Sequence, residues 1–148
     1  MSWRDGRYMA RIVIDANVVI SAAFGGIPLE AAARAMSRHQ VCVSREIEQE
    51  LLSVVARLGK KLTEEQRVFM TARIQQLVAF ATSVAASTRV VLSRDAKDDH
   101  YLSLCKQIDA DFLITGDRDL LDISPDALKK QGIRTRIINP RQFIEEVP

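Results

Sequence analysis

Two short runs in this chain have an unbroken apolar core, Ile12–Ile14 and Phe112–Ile114, and each is followed closely by a carboxylate. Arg11-Ile12-Val13-Ile14 leads straight into Asp15, and Phe112-Leu113-Ile114-Thr115 is closed by Gly116-Asp117. A strand with one wet face alternates polar and apolar residues. A run without that alternation must be covered on both faces, as a central strand of a parallel sheet is. Val41-Cys42-Val43 and Thr135-Arg136-Ile137-Ile138 read as further strands, and shorter β-like pieces lie near Val84 and Val90-Val91-Leu92. The order is strand, helix, strand, helices, strand, helix, strand, helix, strand. That alternation predicts a three-layer α/β/α fold around a central, mostly parallel sheet. In such sheets ligands sit beyond the carboxyl ends of the strands, where the strand order reverses.

The helices carry their own start signals. Pro28 suits a first turn, and Leu29, Ala32, Ala33 and Met36 follow as its apolar face. Ser44 caps a helix whose inward residues are Ile47, Leu51, Val54 and Val55, and Thr63-Glu64-Glu65-Gln66 is a capping box. Met70, Ile74, Leu77, Val78 and Ala81 form a stripe suited to a core. Tyr101, Leu102, Leu104, Cys105 and Ile108 recur at helical spacing after Asp98-Asp99, so one of these two acids opens that helix, where free N–H groups and the dipole favour a carboxylate. Ser124-Pro125 and Asn139-Pro140 start two short helices near the end.

At 148 residues the chain is read as one domain over 1–148, with residues 1–10 as a flexible N-terminal extension. No apolar run is long enough to span a membrane and the start has no secretory signal pattern. Cys42 and Cys105 have no metal-binding or redox spacing and read as buried free thiols of a cytoplasmic protein. The net charge is +2. Gathering four carboxylates on a cation would leave a distinctly basic body, which suits a polyanionic substrate.

The acids are where chemistry concentrates. Asp15 and Asp117 each end a strand, and Asp98 and Asp99 begin the helix leading into the second of those strands. Glu46, Glu48 and Glu50 open the helix after Ser44. The first two suit a solvated first turn; Glu50, a turn deeper and beside Leu51, is the better pocket-facing ligand. Close carboxylates repel, and a fold tolerates them when a cation lies between. Oxygen ligands without a His/Cys cluster favour Mg²⁺ or Mn²⁺ over zinc, as one ion or two. His100 is placed on the helix surface. Arg118 and Lys97, cations beside these acids in the chain, are the expected substrate contacts.

The segments RIVIDANVVISA, SREIEQELLSVVAR, RDAKDDHYLSL, ADFLITGDRDLL and IINPRQFIEE occur in an order and spacing that resemble the PIN domain family, in the branch of toxins from toxin–antitoxin pairs. The resemblance runs from Arg11 to Glu146. It implies a divalent-metal-dependent endoribonuclease with an RNA substrate, a cognate antitoxin and a homodimeric assembly. It maps the metal and catalytic acids to Asp15, Glu50, Asp99 and Asp117, with Asp119 as a fifth ligand and with Asn17, Thr115 and Asp98 in support. The chain departs from the family pattern at Ala16, where Thr or Ser is usual, and at Asp109, where Gly is frequent in a position that needs left-handed backbone. Two other readings compete: a non-catalytic RNA- or antitoxin-binding module of the same fold, and a Mg²⁺-dependent Asp phosphotransfer protein. The latter wants a second Asp close to the first strand's acid, which Asp15-Ala16-Asn17 lacks.

Overall fold

Short apolar runs become the central strands here because each is sealed on both sides. The computed structural model describes residues 9–92 and 95–148. The expected N-terminal extension therefore lies outside the described residues as far as Tyr8, as do Ser93 and Arg94. Strands β1 (Arg11–Ile14), β2 (Gln40–Ser44), β3 (Thr82–Val84), β4 (Phe112–Ile114) and β5 (Arg136–Ile138) form one sheet in the order β3-β2-β1-β4-β5, and every pairing is parallel. Ile12, Val13, Leu113 and Ile114 are all but inaccessible, as continuous apolar runs require.

The helices are α1 (Ala16–Ala22), α2 (Gly26–Arg38), α3 (Arg45–Gly59), α4 (Glu64–Phe80), α5 (Asp99–Ile108), α6 (Arg118–Leu121), α7 (Pro125–Lys130) and α8 (Pro140–Glu146), and a 3₁₀ turn, Ala96–Asp98, runs into α5. From β1 the chain moves outward to β2 and β3, then returns past β1 to form β4 and β5. Right-handed crossovers put α1–α4 on one face and the later α5 on the other. The packing agrees: α1 meets α2, α3 and α4, whereas α5 lies on β1 and β4. The reversal of direction falls between β1 and β4.

Most caps are those expected. Ser44 Oγ accepts from Ile47 N at 3.3 Å, and Thr63 and Gln66 close a reciprocal capping box. Two details differ. The buried face of α2 is Ala31, Ala32 and Ala35, and Ala33 is exposed; a run of alanines offers no size contrast from which to orient a helix. The segment Val90–Leu92 is not a strand. Its N–H groups are taken by side chains of α5: Val90 N donates to Ser103 Oγ at 2.8 Å and Leu92 N to Asp99 Oδ1 at 3.1 Å. The segment thus lies along a helix and not along the sheet.

Asp109 closes α5 with φ 53°, the left-handed conformation its place in the chain calls for. Arg134 holds it there, donating from Nε to Asp109 Oδ1 at 2.6 Å and from its other nitrogens to the Asp109 carbonyl and to Asp111. Left-handed backbone costs an ordinary L-residue roughly 1–2 kcal/mol, Asp and Asn less, and Gly nothing. Asp109→Gly should therefore lie within about 1 kcal/mol of the parent, the backbone gain offsetting a largely exposed ion pair. Asp109→Val should lose about 2 kcal/mol through loss of both. Urea denaturation of the two variants measures the difference.

Candidate active site

The reversal point places two strand ends side by side. Ile14 is in register with Ile114, and Asp15 N donates to the Ile114 carbonyl at 2.9 Å. Asp15 and Thr115 thus leave the sheet abreast, and Thr115 Oγ1 donates to Asp15 Oδ2 at 2.7 Å. The other carboxylate oxygen, Oδ1, accepts from the backbone N–H of Asn17 at 3.0 Å. Asn17 supports Asp15 through its main chain, therefore, while its side chain is exposed on a cleft shared with Asp15, Gly116 and Asp117. Thr115 Oγ1 also accepts from Asp117 N at 3.0 Å, and Asp117 Oδ1 caps α6 by accepting from Asp119 N at 2.9 Å. One threonine hydroxyl thereby sets the positions of two carboxylates.

The third acid arrives from the 3₁₀ turn that runs into α5, and it is Asp98. Its side chain is only 9% exposed. It lies within hydrogen-bonding reach of Asp117 and within electrostatic range of Asp95 and Asp15. Burial, then the hydrogen bond and charge of Asp117, then the other two acids, push its carboxyl up to about 8. Asp15 is shifted the same way, chiefly by burial, with the charge of Glu50 adding to it and the hydrogen bonds from Thr115 and Asn17 opposing it. Asp98 Oδ2 is buried and, among the described residues, has no hydrogen-bond partner. Asp95, Asp98 and Asp119 each bring a carboxylate oxygen within 4.8 Å of the others.

Asp99 is turned elsewhere. Its Oδ1 accepts from Leu92 N, and it lines a separate groove with Ser44, Glu46, Arg89 and Ser103. The resemblance placed Asp99 among the ligands with Asp98 in support; the structure gathers Asp98 to Asp15 and Asp117 and turns Asp99 to the loop before it. Neighbouring residues at a helix start point in different directions, and the join between 3₁₀ turn and α-helix decides which Asp faces inward. Asp95 escaped notice in the sequence. Its signal was the spacing to Asp98, because residues three apart eclipse in a 3₁₀ turn.

Glu50 reaches the cluster through Tyr101. The Tyr101 hydroxyl donates to Glu50 Oε2 at 2.6 Å and accepts from Ala16 N at 3.0 Å. His100, expected to lie along the helix surface, has its Nε2 3.1 Å from that same Glu50 oxygen. Arg118 and Lys97 are exposed at the ends of the elements that carry Asp117 and Asp98.

The donor set fits a hard divalent cation. It is all oxygen, burial together with the neighbouring acids raises two of its carboxyls, and it contains a buried carboxylate oxygen that has no hydrogen-bond partner among the described residues. Cys42 and Cys105 are buried and free, and burial pushes the Cys105 thiol up to about 12, so neither offers a thiolate.

A parallel α/β domain with an acidic cluster at its strand reversal is the class this fold and site define. The model of the PIN domain family matches residues 11–119, and the chain belongs to that family. Solved structures agree on the fold. The chain is similar to the crystal structure of VapBC2 from Rickettsia felis bound to a DNA fragment from their promoter, at 10% identity and TM-score 0.56 over 87% of this chain and 98% of that one. It is also similar to a domain of a functionally unknown protein from Methanocaldococcus jannaschii, at 15% identity and TM-score 0.52 over 86% and 90%. No curated protein matches the sequence.

The raised Asp98 carboxyl has a definite consequence for stability. An aspartate has an unfolded value of about 4, so the native state is the better proton binder from there up to about 8. Stability of the metal-free protein contributed by this group is greatest below that window and falls as pH rises through it. Asp98→Asn should flatten this part of the profile. Thermal melts of both proteins in chelator, from pH 5 to pH 8, read the difference directly.

Proposed function

We propose that this chain is a divalent-metal-dependent endoribonuclease and the toxin of a toxin–antitoxin pair, binding Mg²⁺ or Mn²⁺ through Asp15, Asp98 and Asp117, with Glu50 and Asp119 completing the set. The observation that carries the reading is the buried, unpartnered Asp98 Oδ2 among carboxylates that raise its affinity for a proton. A site that holds protons it would otherwise release is one that a cation relieves. PIN domains are in general nucleases, which supports the reaction class. The fold likeness to a VapBC complex supports an antitoxin partner.

The cation, when bound, supplies Lewis-acid polarisation of a phosphodiester and an acidified water. The protein's own part is positioning. Thr115 fixes Asp15 and Asp117, and the cap hydrogen bond from Asp119 N holds Asp117 in turn. Arg118 and Lys97 are suited to steer RNA phosphates toward the acids. Asp99 is left out of the ligand set because it lines the separate groove with Ser44, Glu46 and Arg89, where its Oδ1 accepts from Leu92 N.

Asp15→Asn should abolish Mg²⁺- or Mn²⁺-dependent RNA cleavage, since Asn keeps shape and one acceptor oxygen but loses the charge that holds a hard cation. Stability without metal should stay level or rise as the crowding of charge is relieved. Asp98→Asn should behave likewise, while Asp99→Asn should retain most of its cleavage. An assay on a fluorescent single-stranded RNA with nuclease-free protein tests all three, and a parent protein that cleaves nothing would return the chain to the binding-module reading.

We also propose a homodimer. Leu52 on α3 and Val68, Phe69 and Phe80 on α4 are large apolar side chains left more than half exposed, and α4 carries apolar residues all round, a pattern that suits burial on a second side. Light scattering at micromolar concentration should give a dimer mass, and Leu52→Glu with Phe69→Glu should reduce it to that of one chain. Among the described residues no single helix is long and apolar enough to cross a membrane.

A further inference from the structure

We propose that Tyr101 and His100 are positioning residues that clamp Glu50 by one oxygen and present the other to the cation. This rests on the reading of Glu50 as a ligand. The Tyr101 side chain is fully buried on α5 beside Leu102, Leu104 and Cys105. A buried phenol must place its hydroxyl on a partner, and this one has two. It accepts from Ala16 N, so its single proton is free for Glu50 Oε2, 2.6 Å away.

His100 adds a second arm. A carboxylate only accepts, so the ring nitrogen Nε2, 3.1 Å from the same Oε2, carries the proton between them. The two rings lie against each other, 4.0 Å between centroids and tilted by 36°, which fixes both donors as one unit. Both bonds fall on Oε2, and among the described residues no hydrogen bond is made to Oε1. Tyr101 therefore joins the three elements that bring the acids together: α5, which follows Asp98; the start of α1, which follows Asp15; and α3, which carries Glu50. The same hydroxyl also lies within reach of Asp15.

The test is Mn²⁺ binding to the full chain by titration calorimetry, a readout independent of cleavage, in the parent and in a Glu50→Gln background. Outer-shell partners of metal ligands are typically worth tenfold to a hundredfold in affinity. Tyr101→Phe should weaken Mn²⁺ binding at least about tenfold in the parent and leave it unchanged in the Glu50→Gln protein. His100→Ala should weaken binding in the same conditional way, and His100→Gln, whose amide N–H reaches a similar place, should restore it. The His100 side chain is 21% exposed, so this pair of variants carries the test even if Tyr101→Phe does not fold. Tyr101→Phe binding as tightly as the parent, or losing as much with Gln at position 50 as with Glu, overturns the clamp while leaving the metal site standing. A parent protein that binds no Mn²⁺ overturns the metal reading and the clamp together.

Discussion

The parallel pairing of β1 with β4 is the constraint on which the rest of this molecule depends. The two strands run in register up to Ile14 and Ile114 and then separate into different helices. Their next residues, Asp15 and Thr115, have no further sheet to enter and are held to each other by a single 2.7 Å hydrogen bond. Because the pairing is parallel, both chains depart at the same edge with the same polarity. An antiparallel pair would have carried Asp15 and Asp117 to opposite ends of the sheet. Crossovers of one hand then carry α3 and α5 to that edge from the two faces, bringing Glu50 and Asp98 with them.

The edge is stable as a structure but strained as a set of charges. Six of its members are carboxylates drawn from four segments: Asp15; Glu50; Asp95 and Asp98; and Asp117 and Asp119. Burial first, and the neighbouring acids after it, raise Asp98 and Asp15 in the protein without metal, and three of the acids are tied in place by backbone N–H groups. Asp15 is held by Asn17 N, Asp117 by Asp119 N, and Asp95 by Lys97 N. These Asx-type bonds are local and inexpensive, and they are formed before any ligand arrives. Preorganisation of this kind is what a reaction that depends on positioning requires, because nothing then needs to reorient at the moment of charge development.

Tyr101 shows how a core residue can serve a site without joining it. Its ring fills space between α5 and the sheet as any large apolar side chain would. Its hydroxyl is the part with chemistry, and it reaches from α5 to Ala16 N at the start of α1 and to Glu50 on α3. A helix position that looked like core and a histidine that looked like surface turn out to share a carboxylate. Neighbours at i and i+1 on a helix do not ordinarily face one target. Here the tilt of the two rings lets them do so.

By itself, the sequence determined the layer architecture, because apolar runs such as Ile12–Ile14 and Phe112–Ile114 alternate with helix-period segments, the pattern of a parallel sheet covered on both faces. It also determined the caps at Ser44, Thr63 and Ser124 and the left-handed residue at Asp109, which are local matters of side-chain reach and backbone sterics. Asp15 and Asp117 were legible as strand-end acids for the same reason. What only the tertiary structure decided were the choices that sequence leaves degenerate. Asp98 and Asp99 are chemically identical neighbours, and the 3₁₀ turn before α5 settles which one faces the other acids. The alanines of α2 carry no contrast, so packing sets its inward face. Val90–Leu92 has strand composition but meets α5 first, whose Ser103 and Asp99 take its N–H groups. Glu50, Tyr101 and His100 are far apart in the chain or point-like on a helix, and their contact exists only because the crossovers fold α3 and α5 onto one edge.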